Sequence, residues 1–260
     1  MFLDTNNIKL HYMDVGKGFP IVFIHGLGEK AVSWHHQVKY FQKNYRVITV
    51  DLRSHCKSTN DDAVPITMAL FAKDVIALFD HLKIDQAVII GHSMGGLVCQ
   101  EIAAHYRERV KAMVLSGTAG YYPEPFCTEG LKERLEFLKT ATMEDMAELV
   151  CQKCCGPDVT PAIRQEIKDL FLDNDLEQYT QATIATFKAD YRPYHKDMNF
   201  PTLLIVGEFD KTTPVAYSDY LISHLPHARI EIIPRAAHMT KVENPQGFNK
   251  ALEGFLKEAL

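Results

Sequence analysis

The sequence predicts an α/β fold, with a mostly parallel sheet, helices on both of its faces, and a helical insertion. Three observations carry this reading. Short apolar runs recur along the 260-residue chain, too uniformly apolar to have one face in water. Segments of helical period separate them, as parallel strands joined by crossover helices require. The rhythm then stops between about residues 120 and 199, where the chain is charged, helical and free of buried-strand runs.

The elements follow in order. Ile8 to Val15 alternates apolar and polar residues, as a half-buried strand does. Gly16-Lys17-Gly18-Phe19-Pro20 makes a turn into Ile21-Val22-Phe23-Ile24, which reads as buried on both faces. Val47–Val50, Ala87–Ile90 and Val110–Ser116 are the next strands, and Thr202–Val206 and Ile230–Ile233 come late. Helical patterns lie near 33–43, 66–82, 93–107, 214–224 and 244–258. The stretch 120–199 holds patterns such as Leu131-Lys132-Glu133-Arg134-Leu135, with prolines at 123, 125, 157, 161 and 193. Residues 1–119 and 200–260 are therefore expected to form the core, and 120–199 a helical cap over the sheet's carboxyl edge.

Composition narrows the function classes. The chain is 47% hydrophobic and 23% charged, ordinary for a soluble globular protein. A net charge of -5 without a Lys/Arg cluster argues against a nucleic-acid partner. No run of about 18 apolar residues predicts a membrane span. No basic segment followed by an apolar stretch opens the chain, so the cytoplasm is the expected compartment. Cys151-x-x-Cys154-Cys155 offers a zinc-like spacing, but no second Cys/His pair completes four ligands. Thiols on a helix are the simpler reading.

The richest stretch is Gly91-His92-Ser93-Met94-Gly95-Gly96, between the run Ala87–Ile90 and a helix-like segment. A serine between glycines at a strand-to-helix turn is the setting of a nucleophile elbow. Serine needs a base to take its proton, and that base is commonly a histidine oriented by a carboxylate. In open parallel sheets such groups gather at the carboxyl ends of strands. Asp210 and Glu208 both follow the strand 202–206, and the residues alone leave the choice between them open. His238 follows the strand 230–233. Other histidines sit less well: His227 precedes its strand, His35 and His36 fall in a helix, and His195 falls in the insertion. Two N–H groups should hold the oxyanion, one from Met94 at the helix start and one from the loop Ile24-His25-Gly26-Leu27-Gly28. That loop lacks the third glycine of a dinucleotide site, and the chain has no P-loop.

Together, the Gly91-x-Ser93-x-Gly95 elbow, the His25-Gly26-Leu27-Gly28 loop and the order Ser93, Asp210, His238 resemble the α/β-hydrolase superfamily. Within it the chain is similar to small esterases, enol-lactonases and cofactor-free perhydrolase-like enzymes. Ala236-Ala237-His238-Met239 and Glu243-Asn244-Pro245 resemble their base loop and last helix. The resemblance implies that the acid is Asp210 rather than Glu208, and that Leu27 supplies an oxyanion N–H. One departure stands out. The family's Asp-x-Arg-Gly-x-Gly-x-Ser loop reads Asp51-Leu52-Arg53-Ser54-His55-Cys56-Lys57-Ser58, so Ser54 and Cys56 bear strain if those positions need positive φ.

The expected activity is serine hydrolysis of a small-molecule carboxylic ester or lactone through an acyl-enzyme on Ser93, with no metal or organic cofactor. Carbon–carbon hydrolysis of a meta-cleavage product, perhydrolysis and acyl transfer could use the same triad. A hydrolase-fold ligand receptor is the non-enzymatic alternative. Leu27, Trp34 and Met239 are the expected substrate contacts, and an apolar pocket would suit a small or medium neutral acyl group.

Overall fold

A computed structural model describes residues 1–61 and 63–260. The strands are β1 (Phe2–Thr5), β2 (Ile8–Val15), β3 (Pro20–Ile24), β4 (Arg46–Val50), β5 (Ala87–His92), β6 (Val110–Ser116), β7 (Thr202–Gly207) and β8 (Ala228–Ile233). They form one sheet in the order β1-β2-β4-β3-β5-β6-β7-β8. The pairs β1–β2 and β2–β4 are antiparallel, and every pair from β4 through β8 is parallel. The hairpin strand β1 is an addition to the sequence reading, since Phe2–Thr5 is too short and too exposed to show a pattern.

The apolar runs become strands buried on both sides. Along β3, Ile21 and Phe23 point into one core, and Val22 and Ile24 into the other. The same alternation divides Val47 from Ile48 and Val88 from Ile89. On one face lie α2 (Met68–His81), α3 (Met94–His105) and, toward the far edge, α8 (Val215–His224). On the other lie α1 (His35–Phe41) and the last helix, whose Phe248, Leu252 and Phe255 pack with Trp34 and Phe41. That last element is two helices, a short α9 (Thr240–Glu243) and α10 (Pro245–Ala259). Asn244 separates them and caps α10 by accepting the Gly247 N–H at 2.9 Å.

Between β6 and β7 the chain leaves the sheet. The departing and returning strands meet at a single bridge, Tyr121 opposite Asp190, with the Tyr191 N–H on the Gly120 carbonyl at 2.9 Å. Beyond this neck stand α4 (Leu131–Leu138), α5 (Met143–Cys154), α6 (Pro161–Asp169) and α7 (Leu176–Phe187). Their apolar faces make a third cluster of Met146, Cys151, Ile167, Phe171 and Tyr179, closed from below by Met239 and Val242. The inserted helices thus sit on the loops at the carboxyl ends of the strands. Among the described residues, no helix is long and apolar enough to cross a membrane.

Candidate active site

Strand order reverses about β3, with β4 on one side and β5 on the other, and ligands bind at such switch points outside the strands' carboxyl ends. Ser93 stands there, between β5 and α3, at φ 51° and ψ -118°. Positive φ in a non-glycine residue costs about 1–3 kcal/mol, so the surrounding structure must hold it. It does so by close approach. A Cβ on Gly91 would lie 2.2 Å from the Gly95 carbonyl oxygen, and one on Gly95 would lie 2.3 Å from that of Ile24. The Ser93 N–H donates to the Ser116 carbonyl at 2.9 Å, and Thr118 Oγ1 donates to the Ser93 carbonyl at 2.8 Å.

His238 and Asp210 meet at the ends of β8 and β7. His238 Nδ1 lies 2.9 Å from Asp210 Oδ2, and both side chains are buried. Asp210 is fixed in turn, accepting the N–H groups of Thr212 at 2.8 Å and Thr213 at 2.9 Å, and the Thr213 hydroxyl at 2.9 Å. Burial alone would raise the Asp210 carboxyl, but the His238 charge and these hydrogen bonds outweigh it and hold Asp210 below its ordinary value. Burial would lower His238, yet Asp210's charge and hydrogen bond raise it. Gly117 lies beside the pair: a Cβ there would be 3.2 Å from His238 Nδ1 and 3.4 Å from Asp210 Oδ2. Glu208, the competing acid, is exposed and accepts the Arg235 N–H at 2.9 Å. It is bound elsewhere.

The loop after β3 reaches Ser93. A Cβ on Gly26 would lie 3.2 Å from Ser93 Cβ. His25 locks that loop to the one after β4, donating from Nδ1 to the Gly26 carbonyl at 2.8 Å and accepting the Leu52 N–H on Nε2 at 2.9 Å. Leu27 follows directly, and Met94 opens α3, where the first N–H groups have no intrahelical acceptor. The loop after β4 takes the strain its sequence implied: Ser54 has φ 65° and Cys56 φ 49°. Arg53 compensates beneath it with a buried bidentate pair to Asp74, at 2.6 and 2.8 Å. Cys56 is half-buried, and its N–H donates to Asn174 Oδ1 of the insertion at 3.2 Å.

Behind the site lies a buried ionic cluster that the sequence reading passed over. Lys241 Nζ is 2.8 Å from Glu29 Oε2 and 3.0 Å from His92 Nδ1, and Glu29 Oε1 is 2.6 Å from the same nitrogen. His92 Nε2 donates to the His238 carbonyl at 2.9 Å. Burial alone would raise Glu29, but Lys241 and His92 hold it well below the usual carboxylate range. Burial lowers Lys241 against that partner. The loops carrying Gly26, Ser93 and His238 are therefore tied to one another from behind. Glu243 ties the base loop to the insertion, accepting the N–H groups of Met239 at 2.9 Å, Ala237 at 3.1 Å and Gly156 at 2.7 Å. No local sequence signal pairs Glu29, in the loop after β3, with Lys241 of α9.

The expected substrate contacts fare unequally. Leu27 and Met239 both pack in the cluster under the inserted helices. Trp34 is a correction: it is 0% exposed, wedged beside Phe23 and Phe248 with Lys241 Nζ 5.0 Å over its ring, and offers a substrate no face. The cysteines of α5 serve packing and docking. Cys154 gives its carbonyl to the His238 N–H at 3.0 Å, and Cys151 donates to the Arg164 carbonyl at 3.4 Å. Tyr122 stacks on Phe187 and meets Phe126 at a tilt, with its phenol pushed up by burial, by Tyr217 and by Asp210. A groove of about 1040 Å³ runs along Tyr121, Tyr122, Leu131, Leu135 and Phe187, without Ser93, Asp210 or His238 in its walls.

A mostly parallel sheet with a positive-φ serine turn at its switch point defines a hydrolase scaffold, and residues 20–147 match the family model of the alpha/beta hydrolase fold. The chain belongs to that family. It is 31% identical to the 3-oxoadipate enol-lactonase 2 of Acinetobacter baylyi over 260 residues, covering 98% of this chain and 96% of that protein. It is 28% identical to a 2-hydroxy-6-oxononadienedioate/2-hydroxy-6-oxononatrienedioate hydrolase of Burkholderia vietnamiensis, covering 98% and 93%. Among solved structures, the enol-lactonase of Burkholderia xenovorans LB400 superposes with a TM-score of 0.92 at 29% identity, covering 99% of this chain and 100% of that one.

Proposed function

We propose that this hydrolase cleaves a carboxylic ester or lactone through an acyl-enzyme on Ser93. The observation that carries the reading is the buried 2.9 Å His238–Asp210 pair at the same sheet edge as the positive-φ Ser93 turn. Ser93 Oγ attacks the carbonyl while His238 takes its proton. Asp210 keeps the imidazole in the tautomer with Nδ1 protonated and stabilises the imidazolium. The Leu27 and Met94 N–H groups hold the oxyanion. His238 then returns the proton to the leaving oxygen, and a water deprotonated by His238 releases the acid.

The insertion acts as a cap that selects the acyl group, and although its acidic residues outnumber its basic ones, the placement of Arg134 favours an acid. Arg134 Nη1 lies 3.5 Å from Tyr179 Oη and 3.7 Å from Met146 Sδ. It has no ion-pair partner among the described residues. Tyr179's ring packs against Gly28, so a substrate between the cap and the Leu27 loop comes under this guanidinium. A second carboxylate on the substrate would satisfy it, in place of the neutral acyl group that an apolar pocket would suit. The names of the enol-lactonase and dienedioate hydrolase relatives support the same class. The latter also supports a second reading, carbon–carbon hydrolysis at the same triad.

The test compares the native chain with Ser93→Ala on a neutral p-nitrophenyl ester, a carboxylated lactone and a meta-cleavage dienedioate. Hydrolysis by the native chain alone supports the serine mechanism, and equal background rates in both sink it. Arg134→Ala should raise KM roughly 10-fold or more for the carboxylated substrate, the worth of one charge-assisted hydrogen bond, and leave the neutral ester unchanged. Equal changes for both substrates would remove Arg134 from recognition.

A further inference from the structure

His35 and His36 fall outside the chemistry above, yet their geometry is unusual. They are consecutive residues opening α1, and consecutive helical side chains normally diverge. Here the two rings lie close together, with centroids 3.9 Å apart and planes inclined by 39°, and both Nε2 atoms turn toward one carboxylate oxygen of the insertion. Glu166 Oε1, on α6, lies 3.7 Å from His35 Nε2 and 4.0 Å from His36 Nε2. Those separations are too long for hydrogen bonds. Glu166 Oε1 is nonetheless covered from solvent and has no hydrogen-bond partner among the described residues. A carboxylate oxygen covered from solvent thus faces two imidazole nitrogens at once.

We propose that His35, His36 and Glu166 bind one divalent transition-metal ion, which staples the core helix α1 to the inserted helix α6. The three donor atoms lie within 4.8 Å of one another. Bonds of about 2.0–2.1 Å to a tetrahedral zinc ion place two donors roughly 3.4 Å apart, so small side-chain rotations close the site. His35 is already prepared: its Nδ1 donates to the Val32 carbonyl at 3.2 Å, which leaves the Nε2 lone pair free. Two imidazoles and one carboxylate suit Zn²⁺, Co²⁺ or Ni²⁺ rather than Mg²⁺ or Ca²⁺, and water fills the remaining positions. The ion would fasten the insertion to the core on the side of α1, far along the chain from the Cys154–His238 contact.

Calorimetric titration of the full chain with Zn²⁺ tests this. One saturable equivalent is expected, weakened roughly 10-fold or more by each of His35→Ala, His36→Ala and Glu166→Gln, and unchanged by Cys155→Ser. Circular dichroism melts establish that the variants fold. Hydrogen exchange across residues 161–169 should slow on adding Zn²⁺ to the native chain and not to His36→Ala. The proposal is overturned by the absence of saturable binding, by binding that survives all three substitutions, or by binding lost only in Cys155→Ser. Binding without slower exchange in α6 overturns the staple.

Discussion

The loops at the strand ends and the helices inserted above them are held in different ways. Below, buried polar bonds fix nearly every turn: His25 to Leu52, Arg53 to Asp74, Asp210 to Thr213, and Lys241 to Glu29. Above, the insertion is anchored to the core at separate points along its length, among them the Cys154 carbonyl on the His238 N–H, Gly156 on Glu243, Lys30 on Asp173, and Asn174 Nδ2 on the Gly28 carbonyl at 2.6 Å. Several faces of α4 remain exposed. A rigid lower layer suits groups that must hold a transition state to within fractions of an ångström. An upper layer docked on the core through separate contacts suits selection and passage of substrate. In the function proposed above, bond making falls to the first region and discrimination to the second.

That division can be broken from either side. The largest expected effect below the cap is Asp210→Asn, which should lower kcat about 10⁴-fold, as loss of the correct histidine tautomer does in other triads, while leaving KM nearly unchanged. A loss confined to KM would contradict the assignment of Asp210. Next comes Lys241→Met, which strands Glu29 in the core and should cost about 3–5 kcal/mol of stability in denaturant titrations. Adding Glu29→Gln should recover part of that loss, and a double variant no better than the single one would mean the cluster is not coupled.

The pH dependence gives a smaller effect with a definite sign. His238 must be neutral to act as a base, and Asp210 raises it above the ordinary imidazole value of 6.5. Activity should therefore fall as pH drops through that raised value, at a higher pH than a free histidine would give. The stability contribution runs oppositely, being present at low pH and lost as pH rises through it. A kcat/KM profile whose acid limb lies well below 6.5 would exclude His238 as the base. Smallest is Cys56→Gly. Relief of its φ of 49° should raise stability by about 1 kcal/mol in thermal melts, with activity retained because its N–H contact to Asn174 is a backbone one.

Legibility in the sequence followed the same division. The doubly buried strands announced themselves by continuous apolar runs, and Ser93 and His238 by their places just beyond such runs, whereas only the family resemblance separated Asp210 from Glu208. Ser54 and Cys56 could be read as strained because glycine was absent where a left-handed turn was needed. Trp34 was misplaced for a physical reason: an aromatic beside a site has the same sequence signal as one in the core, and only packing against Phe23 and Phe248 separates them. Glu29 and Lys241 stayed hidden because their pairing spans more than two hundred residues and no local period reports it. The insertion was legible as helix, but the selecting role proposed for it was not. Arg134 looks like any surface charge of an amphipathic helix until Tyr179 is seen beside it.

The most direct test of Ser93 as nucleophile is stoichiometric labelling with diisopropyl fluorophosphate, read by peptide mass spectrometry alongside residual ester hydrolysis. One phosphoryl adduct per chain on the Ser93 peptide is expected, with hydrolysis lost in proportion and no adduct in Ser93→Ala. Hydrolysis that survives complete labelling of Ser93, or is lost with Ser93 unlabelled, would contradict the account.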